Sequence, residues 1–136
     1  MKNTSDRIGT RTIWIGRWTV AVAVLHTAFA VIVMRDPLIE VARRGYFDAI
    51  GRDAEIAAPV WFILFGFLLF ILGLAITALE RSLPEGRVPI ELGWGLLLLC
   101  AIGLVLMPAS GFYLALVPAI AIIARARQHF LRVTPP

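Results

Sequence analysis

The 136-residue chain has one cysteine, one asparagine, two histidines and only 16% charged residues. Cys100 lies alone inside an apolar run, which excludes a disulfide framework and a cysteine-rich metal centre. With 60% hydrophobic residues and a mean hydropathy of +0.85, so little charge excludes an ordinary soluble domain, where about a quarter of residues are charged. No glycine-rich phosphate loop follows a strand pattern, no G-x-x-x-G pair occurs, and no serine, histidine and carboxylate set has triad-like placement. His26 and His129 lie far apart and have no further ligands beside them, so neither a metal nor a cofactor is expected.

What is present is apolar length. Three stretches carry no Asp, Glu, Lys or Arg: residues 18–34, 56–79 and 92–124. A bilayer core about 30 Å thick takes roughly 20 residues of helix, so the first two stretches are one span each. The third is too long for one span and is broken by "PASG" at Pro108 to Gly111, which predicts a helical hairpin. The expectation is therefore an all-α, integral membrane four-helix bundle forming a single domain over 1–136, with spans at about 14–34, 57–81, 90–107 and 109–126.

Charge orients it. With four spans, Lys2, Arg7, Arg11, Arg17, Arg81, Arg87, Arg125, Arg127 and Arg132 fall inside, against Arg35, Arg43, Arg44 and Arg52 outside. Three spans would move the C-terminal arginines outside and erase that bias. Both termini are thus expected to be cytoplasmic, in a multi-pass protein of the inner membrane. Trp14, Trp18 and Trp94 at the inner ends, with Trp61, Phe112 and Tyr113 at the outer ends, fit two aromatic belts. A cleaved secretory signal is the competing reading of the first segment, since "AFA" at Ala28 to Ala30 resembles a cleavage site, but the apolar run continues past it.

The segment between the first two spans, "RDPLIEVARRGYFDAIGRDAEIAAP", predicts an amphipathic helix on the outer surface, capped by Asp36 with Pro37 at its first position. Glu40 and Arg44 are spaced for a salt bridge within it. It either connects two spans or covers the bundle mouth.

His26 sits midway along the first span, where an ionisable side chain normally faces protein rather than lipid. Thr19, Ala23 and Ala30 share its helix face and form a stripe of small residues that permits close packing. Gly66, Gly73, Thr77 and Glu80 form a comparable face on the second span, and Gly93, Cys100 and Gly103 one on the third. The candidate ligand-binding set is accordingly His26, Thr19, Ala23, Ala30, Thr77 and Cys100 around a common interior. A bland alternative has His26 simply hydrogen-bonding another helix.

The stretch "GRWTVAVAVLHTAFAV" with its central histidine, the amphipathic outer loop, "APVWFILFGFLLFILGL" and the final hairpin together resemble small four-span bacterial membrane proteins, loosely the DoxX-like group. That resemblance implies a four-helix membrane bundle and no assigned activity.

Three functional readings follow. The leading one is a non-enzymatic inner-membrane protein that binds a small apolar or amphipathic ligand between its helices, with His26 as the polar contact. The others are an accessory subunit packing against a larger membrane partner or another copy, and a redox or isomerase enzyme using His26 in proton transfer. The basic balance, a net charge of +4, flanks the spans as orientation and anionic lipid require, so the partner is the bilayer and not nucleic acid.

Overall fold

The computed structural model describes residues 13–83 and 87–133, excepting the side chains from 129 onward. Lys2, Arg7 and Arg11, and the side chains of His129 and Arg132, lie outside the described residues. Five helices follow in order: α1 (Ile15–Val33), α2 (Arg35–Arg43), α3 (Ala54–Ser82), α4 (Ile90–Leu106) and α5 (Phe112–Val133), with no strand among the described residues. Two of them, α1 and α3, are long and apolar enough to cross a membrane; α4 is apolar but shorter, at 17 residues.

The helices pair as two antiparallel hairpins. α1 packs mainly on α3 and α4 mainly on α5, and the two pairs meet along α1 and α5. The backbones of α3 and α4 do not approach each other, so consecutive helices in the chain stand at opposite ends of a row. One apolar cluster joins the four at the Glu80 end: Ile15, Ile76, Val88, Leu96, Ala119 and Ile122.

Glycines set the close approaches. A Cβ on Gly16 would collide with Thr77, and one on Gly73 with Val20. The hydroxyls of Thr19 and Thr77 bond back to the carbonyls of Ile15 and Gly73, one turn earlier in their own helices, so neither needs a partner across the seam. In the other hairpin, Gly93 meets Ile122 and Ile123, and Gly103 meets the ring of Phe112. Such contacts let backbones draw together where no side chain intervenes.

The expected helix between the first two long apolar segments forms, with different ends. α2 begins at Arg35, one residue beyond α1, with Met34 at its N-cap position and no side-chain cap; Asp36 is exposed beside Arg35 instead. Continuing the helical path after a single residue leaves Asp36 in the first turn rather than ahead of it. α2 ends in a Schellman arrangement, Gly45 N–H to Ala42 O and Tyr46 N–H to Val41 O, with Gly45 at φ +85°. The Glu40–Arg44 bridge is present at 3.1 Å. Arg44 also donates to the Ala49 carbonyl and to Asp53, the residue whose side chain caps α3, so it cinches the loop; Glu40 first, then Asp53, raise its pKa. α2 touches α3 and α1 only, and none of its residues is fully buried, so it rests on the first hairpin without covering the second.

At the other hairpin's tip, residues 108–111 form the turn and α5 starts at Phe112. The starting proline and the small residues after it halt α4 where the sequence expects a break.

The glycine seam makes a direct prediction. Gly73→Val should destabilise the protein by about 1–3 kcal/mol through overpacking against Val20. Gly95→Val, at a position with nothing nearby, should change stability by less than about 0.5 kcal/mol. Unfolding in mild detergent measures both.

Candidate functional site

α1 opens without a local cap: Trp14 occupies the N-cap position and offers no side-chain oxygen. Its first N–H groups are orphaned unless another element supplies an acceptor. Glu80, in the last turn of α3, does so. Its carboxylate accepts from Gly16 N–H at 2.9 Å and Ile15 N–H at 3.4 Å, and from the Arg125 guanidinium of α5 at 2.8 Å. Glu80 is fully buried, whereas the Arg125 side chain is 26% exposed and lies over the Trp14 ring, 5.7 Å from its centroid. A carboxylate near its own helix's C-terminus meets an unfavourable dipole, but the N-terminus of α1 presents the opposite one. Three helices are thus tied through one side chain.

A second polar tie joins α1 to α5: Trp18 Nε1 donates to the Leu114 carbonyl at 3.0 Å. Arg127 stands over the Trp94 ring at 5.9 Å. These indole and guanidinium groups gather at the Glu80 end.

Toward the Ala54 end, His26 faces α3. Its Nε2 donates to the Phe62 carbonyl at 3.0 Å, a carbonyl being only an acceptor. The imidazole stacks on the Phe62 ring with centroids 3.8 Å apart and 9° between planes, and meets Phe65 at a tilt. Gly66 makes room for this, since a Cβ there would press on Thr27 and the His26 ring. The ring is half-buried, and its Nε2 is engaged by a helix carbonyl.

The other sequence candidates divide. Thr19, Ala23 and Ala30 are buried along the same face of α1, and Thr77 lies at that seam beside Gly16. Cys100 is buried in the other seam, on the α4 line that runs from Gly93 to Gly103 against α5. The structure sets His26 and Thr77 at the α1–α3 contact, buries Thr19, Ala23 and Ala30 on α1, and places Cys100 in the second hairpin. Among the described residues, no three His, Cys, Asp or Glu side chains come together.

Beside that seam, α1 and α3 enclose an open groove of about 500 Å³. Ala23, Val24, Thr27, Ala28, Val31 and Ile32 form one wall, and Gly66, Phe67 and Phe70 the other. His26 does not line it; the ring braces the helix that does. Glu80 and Arg125 were visible in the sequence as a polar end to a glycine face and as a flanking charge. The signal that would have paired them is the missing cap: neither Ile13 nor Trp14 can serve α1, so an acceptor has to come from elsewhere.

Replacing His26 by leucine should keep the fold and cost about 0.5–1.5 kcal/mol, the worth of one interhelical hydrogen bond, as measured by unfolding in mild detergent. No loss would mean that the bond to Phe62 contributes nothing.

The sequence matches the model of a family of unknown function, DUF6463, over residues 10–129. The match lends nothing to the DoxX-like likeness. No curated protein and no solved structure matches.

Proposed function

The chain belongs to the DUF6463 family, and as that family has no assigned function, we propose from the geometry alone that it is an integral membrane protein holding an apolar chain in the α1–α3 groove. On this reading α1 and α3 cross the bilayer, and the α4–α5 hairpin enters from the same side as both termini. That side is cytoplasmic, at the inner membrane, because Arg17, Arg81, Arg87, Arg125 and Arg127 collect there.

Several observations support embedding. Large apolar side chains are exposed on every outward face, among them Leu25, Ile32, Phe67, Leu68, Ile71, Leu98 and Val105, and water would not tolerate so continuous a surface. Trp14, Trp18 and Trp94 lie at the Glu80 end with the arginines, where amphipathic rings favour the headgroup level.

The groove carries the functional part. Its wall is apolar apart from the Thr27 hydroxyl, it opens sideways between two helices long enough to span, and two phenylalanines border it. Those properties suit a flexible hydrocarbon chain arriving from the bilayer better than a polar solute arriving from water. His26 keeps α1 and α3 at the spacing that leaves the groove open.

A photoactivatable fatty acid in reconstituted vesicles tests this. It should crosslink to Val24, Ala28 or Phe67, and Ala28→Phe, which fills the groove from an exposed position, should reduce crosslinking by about tenfold. Ala101→Phe, on the outward face of α4, should leave the yield unchanged. Equal yields from both variants would show that the groove takes no chain.

A further inference from the structure

We infer that the bilayer is thinned on its outer side above the α4–α5 hairpin, so that water descends to the turn at residues 107–111. The inference rests on the membrane reading above. It begins with length. The uncharged part of α3, residues 56–79, measures about 36 Å, and α1 about 28 Å. By contrast α4 measures about 25 Å with Glu91 in its first turn, and α5 runs only about 20 Å from Phe112 to Arg125. The second hairpin therefore falls about 10 Å short of the outer surface of a 30 Å core.

A short element could slide outward, with its arginines stretching back to the inner surface. Here it is pinned. Arg125 is held by Glu80 of α3 and lies over Trp14 at the start of α1, both in the first hairpin. At the other end, Leu114 in the first turn of α5 accepts from Trp18 in the first turn of α1. The tip thus stands beside the body of α1, well below Val33.

The turn cannot remain dry at that depth. Helix ends leave several backbone groups without helical partners, and hydrocarbon offers none. Within the turn, Met107 N–H bonds to Gly103 O and Gly111 O accepts from Leu114 N–H, while the buried Ser110 hydroxyl has no partner. Deforming the lipid costs far less for each ångström of mismatch than each stranded polar group costs. Val105, Leu106, Met107 and Tyr113, all exposed, then form an apolar collar just beneath the lowered interface.

The experiment uses the full chain with Cys100→Ala, reconstituted in dimyristoyl, dioleoyl or dierucoyl phosphatidylcholine, and a membrane-impermeant maleimide added outside. Three reporters are compared: Ala109→Cys in the turn, Phe29→Cys on the exposed face of α1, and Arg52→Cys in the loop between α2 and α3. The expected result is that position 109 reacts within about tenfold of position 52 in the shortest lipid and slows by about tenfold more in the longest, with position 29 inert throughout. Reaction at 109 as slow as at 29 would overturn the inference, because the turn would be dry or covered by a second copy. Reaction at 109 as fast as at 52 in every lipid would overturn it too, because the turn would then project into bulk water. Reaction at 29 as fast as at 52 would instead remove the membrane reading on which the inference rests.

Discussion

The carboxylate of Glu80 is the point at which three of the four long helices, α1, α3 and α5, are held together. It supplies the cap that α1 lacks, neutralises the guanidinium of α5, and sits buried near the end of α3. Removing water from one carboxylate is costly unless its oxygens are hydrogen-bonded, and here two backbone N–H groups and one arginine donate to them. The two hairpins otherwise meet along a limited strip of α1 and α5, so this cluster also sets how high one stands relative to the other. The height of the second hairpin against the first is set by that ion pair together with the Trp18–Leu114 hydrogen bond.

The α1–α3 seam works by a different principle. Glycines at 16, 66 and 73 bring backbones close, threonines satisfy themselves within their own helices, and His26 provides one polar bond across the interface. Packing of this kind needs little hydrophobic driving force, which lipid would not provide. Along the edge of that close approach, the small side chains of Ala23 and Ala28 and the bare backbone of Gly66 do not fill the surface between Val24, Val31, Phe67 and Phe70, and the groove results. Close approach and open groove are two outcomes of the same small-residue stripe.

Much of this was legible from residues alone. The uncharged runs at 18–34 and 56–79 anticipate α1 and α3, "PASG" anticipates the turn before α5, and Glu40 with Arg44 anticipates their bridge. These are local signals: helical period, a proline, a spacing of four. The bland reading of His26, a hydrogen bond to another helix, matches its contact with Phe62. Less legible were the relations between helices. Cys100 shares glycine spacing with the candidate faces, yet spacing cannot say which neighbour a face will meet, and its neighbour is α5. Glu80 reads as the polar limit of an apolar run, because hydropathy registers where charge stops a span and not what the charge will bind.

The most direct test of the Glu80 cluster is a double-mutant cycle with Arg125→Leu and Glu80→Gln, with unfolding free energies measured in mild-detergent micelles. Arg125→Leu leaves a buried carboxylate without its cation and should destabilise by about 3 kcal/mol. Glu80→Gln still offers an oxygen to the N–H groups of α1 and should cost less. Combined, the two should recover at least about 1 kcal/mol relative to the sum of the single effects, since the amide no longer needs the guanidinium. Strict additivity, or an Arg125→Leu variant as stable as the parent, would contradict the central role given to this pair.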